Sequence, residues 1–207
     1  RARKMIVDPG THDGLAQALY ECVRELYPIC RSITGNGVRE TLAILARFIP
    51  LQIREVPSGT QVLDWTVPRE WNVREAWLSD STGKRVVDFR EHNLHVLNFS
   101  TPIRARLSLD ELRPHLHSLP GQPDAVPYVT SYYREHWGLC LSHNVRSALK
   151  AGRYRVVIDS VLRDGPPTYA AFGVPGKSPQ DLPPPPNVRP PSLAHDQRAG
   201  RVRRRGH

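Results

Sequence analysis

The sequence predicts an α/β fold that is interrupted by a β-rich insert. Apolar residues recur at helical spacing in residues 15–27 and 38–48. From about residue 57 to residue 152, short apolar segments alternate with turn signals instead, and strand-like sequence resumes at residue 154. Helices followed by a run of short strands and then by further strands are typical of an α/β body that carries a β-rich unit.

Two amphipathic helices are predicted first. Asp13 or Thr11 caps the first helix, which closes near Pro28, and the second ends at Pro50. Each helix has one apolar stripe, because residues three and four apart share a helix face. The stripes are Leu15, Leu19, Val23 and Leu26 in the first helix and Val38, Leu42, Leu45 and Phe48 in the second. A strand is predicted to follow over 51–56.

Short strands dominate the next hundred residues. They are predicted over 61–67, 72–78, 85–89, 94–99 and 103–107, with a hairpin turn at 81–84 (Ser-Thr-Gly-Lys). Ser108 and Glu111 have the spacing of a capping box, which predicts a short helix. A further helix over 143–150 ends at Gly152. Strands over 154–160 and 168–174 complete the prediction.

The chain is therefore predicted to have four parts. Residues 1–56 begin the α/β body, 57–152 form the β-rich insert, and 153–181 return to the body. Residues 182–207 form a Pro/Arg-rich tail. Half of the 20 prolines fall between residues 166 and 191. Since proline cannot donate a ladder hydrogen bond, the tail is expected to be extended and mostly disordered.

The net charge of +9 is concentrated at the two ends of the sequence. Residues 182–207 hold six arginines against one aspartate, and Arg1, Arg3 and Lys4 add three positive charges at the other end. About one positive charge remains for 6–181. Because a folded nucleic-acid binder usually carries its basic surface on the fold, we do not expect nucleic acid to be a partner.

Composition excludes two further classes of protein. No stretch approaches the ~18 apolar residues of a membrane-spanning helix, so no membrane role is expected. No secretory signal is found after the basic start. Three cysteines without a repeat spacing argue against a disulfide framework and against a cysteine zinc module. We expect reduced cysteines in a cytoplasmic protein.

Four histidines and one aromatic segment are the candidate functional residues within the predicted fold. His92, His95, His115 and His117 could ligate a metal, but no cysteine or carboxylate completes either pair, and hydrogen-bonded histidines are the favoured interpretation. Tyr128, Tyr132, Tyr133 and Trp137 could form a ligand wall, or they could fill the core of the insert. No nucleophile elbow, phosphate-binding loop, dinucleotide fingerprint or HExxH motif occurs.

Three stretches are long and distinctive: 26–42 (LYPICRSITGNGVRETL), 55–68 (EVPSGTQVLDWTVP) and 127–143 (PYVTSYYREHWGLCLSH). They closely resemble a bacterial and archaeal family of aminopeptidase-like proteins, often labelled polysaccharide biosynthesis proteins with an aminopeptidase-like domain. The resemblance runs from about residue 15 to residue 181. It implies a truncated zinc-aminopeptidase-like α/β body with an inserted β-rich domain, which a winged helix follows in full-length members.

The resemblance also implies where zinc ligands should lie. The family motif Thr-His-x-Cys-His-Pro-Ser-Leu-Ala-Asn-Asp corresponds to residues 186–196, where Asp196 matches a bridging ligand but Asn187 occupies the position of the first histidine. His195 beside Asp196 is an alternative ligand. An asparagine amide is a poor zinc ligand, and the family's general base would lie beyond residue 207. We therefore expect zinc in the family but none bound by this chain.

The implied function is the N-terminal portion of a zinc-dependent aminopeptidase-like hydrolase that acts on a peptide-like or amide substrate. With an incomplete metal site, this chain is expected to be inactive and to self-associate through an exposed sheet edge. The alternative is a non-catalytic interaction module that uses the insert and its aromatic segment. The tail is either a degraded continuation of the gene or a new sequence whose proline run could bind a partner.

Overall fold

Two amphipathic helices begin the fold, as the apolar spacing predicts. The computed structural model describes residues 12–131 and 134–174. Helix α1 spans His12–Leu26 and helix α2 spans Asn36–Leu45. The second helix ends before Phe48, because the amides of Arg47 and Phe48 form tighter turns to the carbonyls of Ile44 and Leu45, three residues back. Glu25, near the end of α1, forms an ion pair with Arg47, just after the end of α2.

The strands are short except for two that cross the centre of one sheet. In chain order they are β1 (Gln52–Glu55), β2 (Gln61–Val62), β3 (Trp65–Thr66), β4 (Glu70–Ser79), β5 (Arg85–Asp88), β6 (Ile103–Ser108), β7 (Leu116–His117), β8 (Leu139–Cys140), β9 (Arg153–Arg163) and β10 (Thr168–Ala171). Helix α3 (Leu109–Leu112) contributes Leu109 and Leu112 to the core, and Val145 of helix α4 (His143–Ala148) packs against it. The predicted capping box is confirmed, since Ser108 and Glu111 each bond the other's backbone N–H.

A four-stranded antiparallel sheet forms the centre of the molecule, in the order β5-β4-β9-β6. Its inner face packs on a loop segment and the two short helices, and together they make one hydrophobic core. The core includes Trp71, Leu78, Phe99, Leu112, Leu139, Leu141, Val156 and Ile158. The hairpin turn predicted at 81–84 connects β4 to β5, with Asp80 accepting from the backbone amides of Thr82 and Lys84.

Two predicted strands differ from what is observed. Residues 61–67 form a hairpin of β2 and β3 rather than one strand, because the chain reverses at Leu63, whose φ is 55°. Residues 94–99 form a short 3₁₀ turn (Asn93–His95) and an irregular segment with isolated bridges to Leu139 and Thr130. Val96, Leu97 and Phe99 are all buried, so the apolar run reflects burial on every side rather than a sheet.

The two ends of the β-rich unit lie side by side in the fold. Strand β1 pairs antiparallel with β10, and Glu55 lies opposite Thr168. Everything between them, residues 56–167, therefore leaves and re-enters through one pair of strands, and we call this segment the inserted unit.

Strand pairing places β9 in the same sheet as two strands of the predicted insert. The sequence prediction places β9 in the returning body (153–181), whereas residues 155–163 of β9 pair with β4 and residues 153–158 pair with β6. The sheet would lose its central strand if the unit ended at 152. How the longer relatives divide into body and insert stays a prediction, and the predicted tail 182–207 lies outside the described residues.

A buried ion pair joins the helices to the sheet. The two terminal guanidinium nitrogens of Arg39 on α2 donate to the carboxylate of Glu70 on β4, at 2.7 and 3.1 Å. The Nη2 atom also donates to the carbonyl of Pro166. The Glu70 side chain is only 3% exposed. Its neighbour Gly165 passes so close that any side chain there would collide with the carboxylate. Helix, sheet and returning strand thus meet at one carboxylate.

The turn before α2 depends on glycine for a similar reason. Gly35 has a φ of 91°, and a Cβ there would lie 2.2 Å from the carbonyl oxygen of Trp71. Thr34 donates from its hydroxyl to the carbonyl of Arg69 and accepts from the backbone amide of Trp71. The Ser-Ile-Thr-Gly-Asn-Gly turn is therefore pressed onto the start of β4.

Replacing Gly35 by alanine should destabilise the protein far more than the same change at Gly59. Both glycines have positive φ, but nothing lies within 4 Å of a Cβ at Gly59. Gly59→Ala should cost only the conformational penalty of about 1–2 kcal/mol, whereas Gly35→Ala adds a collision with backbone. Urea unfolding of both variants measures the difference, and equal losses would contradict the role given to the turn.

Stability should fall at acid pH through Glu70. The hydrogen bonds from Arg39 hold the pKa of this carboxyl below its ordinary value. The stabilisation that ionised Glu70 gives the folded state is therefore complete above the pKa of about 4.3 that this carboxyl has in the unfolded chain. It is lost as the pH falls through the lower pKa of the folded state. Glu70→Gln should flatten the dependence of the unfolding free energy on pH below about 4.3. An unchanged slope in this variant would rule out Glu70 as its source.

Candidate functional site

A cavity of about 740 Å³ lies between the β2–β3 hairpin and Ser131, Arg134 and Glu135. Phe99 and Leu162 supply apolar wall, and charged residues of both signs surround them. The charged residues are Asp64, Arg69, Arg134, Glu135 and Asp164. The mixture suits a polar ligand with groups of both signs better than an apolar one.

Backbone pairing positions the segment that borders this cavity. The amide of Asn98 donates to the carbonyl of Val129, and the amide of Ser131 donates to the carbonyl of Asn98. Arg69, just before β4, bonds Glu135 at 2.6 Å and so connects the segment to the sheet. Both side chains of this ion pair are exposed. Salt bridges of that kind contribute about 0–1 kcal/mol, so a ligand could displace this one readily.

The hydroxyl groups of the cavity are not arranged for nucleophilic catalysis. Ser58 donates to the carbonyls of Gly165 and Pro68, at 2.5 and 3.0 Å, and Ser131 donates to the carbonyl of Asn98. A backbone carbonyl cannot remove the hydroxyl proton, whereas an activated serine needs an adjacent base. Ser58 and Ser131 are therefore not activated nucleophiles in this arrangement.

The predicted aromatic wall is only partly described. Tyr128 is half-exposed and Trp137 stacks on His115 with ring centroids 3.6 Å apart, but neither lines the cavity. Tyr132 and Tyr133 lie outside the described residues. The segment instead borders the cavity through Ser131, Arg134 and Glu135. Sequence reasoning chose its aromatic residues and missed the polar ones between them.

Three of the four candidate histidines make hydrogen bonds, which confirms the favoured interpretation for them. His92 accepts from the amide of Leu94, while Nδ1 of His95 and of His115 lies 2.8 and 2.9 Å from the carbonyls of Cys140 and Trp137, respectively. Because a carbonyl only accepts, these two imidazoles carry their proton on Nδ1.

The fourth candidate, His117, lies near His136, which the sequence analysis did not select. Burial lowers the pKa of both imidazoles, so both are neutral at pH 7. The Nε2 atom of His117 is buried and has no hydrogen-bond partner among the described residues. Within 12–131 and 134–174, no group of three or more His, Cys, Asp or Glu side chains could hold a metal ion.

The residues predicted from the zinc motif cannot be placed. Asp196, Asn187 and His195 all lie outside the described residues. The cysteines can be placed, and Cys22, Cys30 and Cys140 are free, as expected for reduced thiols. Burial raises the pKa of Cys30 to about 11 and that of Cys140 to about 12, so neither forms a reactive thiolate near neutral pH.

Comparison with known proteins identifies a matching family model and a similar protein. Residues 70–161 match a model described as "Domain of unknown function (DUF2172)". A Clostridium acetobutylicum protein named "Putative polysaccharide biosynthesis protein with aminopeptidase-like domain" is 50% identical over 164 residues, or 79% of this chain. This chain is homologous to that protein over most of its own length. The resemblance predicted from the three sequence stretches is thus confirmed.

A solved relative agrees with the fold. A crystal structure of a "putative peptidase" from Clostridium acetobutylicum superposes with a TM-score of 0.73 at 52% identity and covers 75% of this chain. The predicted α/β fold class is confirmed by this likeness. The chain spans only 38% of the length of the curated aminopeptidase-like relative and 37% of the crystallised one. Among the described residues, no helix is long and apolar enough to cross a membrane.

Proposed function

We propose that this chain is the N-terminal portion of a zinc-dependent, aminopeptidase-like hydrolase of peptide or amide bonds, and that residues 56–167 act as its accessory binding domain. The observation that carries the proposal is the pairing of β1 with β10. A unit whose two ends lie side by side can be inserted into a body without separating that body's own strands. The cavity beside Arg69 and Glu135 then offers a surface on which part of a polar substrate can rest.

The described residues do not fit a hydrolytic zinc centre. Such a centre needs about three protein ligands and an open position for water, and within 12–131 and 134–174 no group of three or more His, Cys, Asp or Glu side chains could hold a metal ion. We therefore assign no catalytic step to them. Zinc would be held by residues of the longer relatives that lie outside the part matched here, and this chain by itself would be inactive.

The free cysteines support a reducing compartment, and we propose a cytoplasmic protein on that ground. A peptide-like or amide compound is the proposed substrate class of the whole hydrolase. We do not propose nucleic acid or a membrane as a partner.

A second candidate function, a non-catalytic interaction module, is favoured by one observation. The apolar stripe of α1 is exposed, with Leu19 at 59% and Val23 at 60%, and all four residues of β1 are exposed. Helical apolar stripes are normally covered in a finished fold. In the longer relatives, the remainder of the body would cover this surface, whereas copies of the 207-residue chain would cover it for one another.

Zinc calorimetry combined with an aminoacyl-anilide assay tests the proposed inactivity. The 207-residue chain should take up no stoichiometric zinc and should release no anilide above the buffer rate, because Asp196 is the only matching ligand. Asp196→Ala should behave identically, and the longer Clostridium relative, assayed in parallel, should bind zinc. Stoichiometric uptake with turnover that Asp196→Ala abolishes would refute the proposed inactivity.

Sedimentation velocity over a range of protein concentrations tests the exposed surface. The chain should associate as concentration rises, and Leu19→Ser with Val23→Ser should shift it toward monomer, since each replacement removes buried apolar contact from the interface. Leu63→Ser is the matched control, because Leu63 is 93% exposed but lies at the tip of the β2–β3 hairpin. An equal effect of the control would show that general hydrophobicity, rather than the stripe, causes association.

A further inference from the structure

The outer face of the four-stranded sheet carries arginines at alternate positions. On β9, Arg153 and Arg155 are exposed whereas Tyr154 and Val156 lie in the core. On β6, Arg104 and Arg106 are likewise exposed. Since successive side chains of a strand point to opposite faces, these arginines share the face that points away from the core.

Strand register brings two of these arginines and Arg85 of β5 into one row. Arg106 lies directly opposite Arg155, Arg155 lies opposite Ser79, and Ser79 lies opposite Arg85 on the neighbouring strand. Like charges directly opposite each other destabilise a sheet. A row with Arg106 facing Arg155 is therefore unfavourable unless something negative compensates it.

Carboxylates of the described residues do not supply that compensation. Arg85 pairs with Asp88, but Arg106, Arg153 and Arg155 form no ion pair within the described part of the chain. Asp80 lies at the edge of the row, and one of its oxygens already accepts from Thr82 and Lys84.

The arginines surround a groove with a tryptophan in its wall. The groove has a volume of about 540 Å³ and is lined by Arg85, Arg106, Arg153 and Arg155 together with Trp77. The guanidinium groups of Arg85 and Arg155 lie 4.9 and 5.3 Å from the indole centroid. This stacking holds both groups in place.

The wall also contains an unpaired donor. The Nε1 atom of Trp77 is buried and has no hydrogen-bond partner among the described residues. Buried polar atoms normally find a partner. An acceptor oxygen of a ligand bound beside Trp77 would supply that partner.

We propose that this groove binds a small ligand with two or more oxyanion groups, phosphate or carboxylate. Guanidinium groups bind both in a bidentate manner, and the row offers several within one small-molecule volume. The arrangement does not favour nucleic acid, which needs an open aromatic face for base stacking, because guanidinium groups already lie over the indole of Trp77. The site is separate from the cavity at Arg69 and does not depend on the hydrolase assignment.

NMR titration of the whole chain tests the site without interference from the arginines of residues 182–207. The indole N–H signal of Trp77, assigned by its loss in Trp77→Phe, should shift saturably with inorganic pyrophosphate or with citrate. Whichever probe binds more tightly identifies the oxyanion. Arg106→Ala and Arg155→Ala should each weaken the binding about tenfold, as expected for loss of a charged hydrogen bond.

Arg54→Ala is the matched control, since Arg54 is exposed on β1 outside this sheet, and it should leave the affinity unchanged. Thermal melting provides a second measurement: without ligand, Arg106→Ala should be no less stable than the wild type, because it removes a like-charge pair. The proposal is overturned if the Trp77 signal stays fixed with both probes, or if Arg54→Ala weakens binding as much as the groove variants. Tighter, Arg106-dependent binding of a single-stranded oligonucleotide would also overturn it.

Discussion

The fold depends on one carboxylate more than on any other polar group. Glu70 begins β4, one of the two central strands of the sheet, and Arg39 reaches it from α2 while also donating to the carbonyl of Pro166. Neighbouring Asn72 donates to the same carboxylate. A buried charge without such partners costs several kcal/mol, so the helix, the sheet and the return strand can form only together. Gly35 and Gly165 are required because their backbones pass within a side chain's reach of this junction.

Local patterns allowed much of the fold to be predicted. The two helices, the turn at 81–84 and the capping box of Ser108 and Glu111 depend on neighbours within a few residues, and all were found, although α2 ends before Phe48. Predictions failed where contacts between residues far apart in the sequence determine the local structure. The apolar run around Val96 resembles a strand but is buried on all sides, and β9 could be assigned to the sheet only once its partners β4 and β6 were known.

The candidate sites show the same division. Composition attracted attention to the aromatic residues near Trp137, yet that ring packs against His115 while its polar neighbours face the cavity. Net charge averaged over 6–181 is close to zero and concealed a strongly basic face. The alternation of Arg153 with Tyr154 and of Arg104 with Ala105 was a usable signal, because arginines two apart on a strand share a face. This alternation does not show which strands lie side by side in the sheet.

The pairing of Glu55 with Thr168 has an evolutionary consequence. A gene that lost the segment between these strands would still encode a hairpin needing only a short loop to close, and Arg39 would retain a carboxylate 3.7 Å away in Glu55. Gain or loss of the segment would therefore preserve the pairing of β1 with β10, while the contacts that α2 makes with Glu70 would have to be replaced. Such a junction permits recombination, so domains of different specificity can be exchanged at this position without a new design of the host fold.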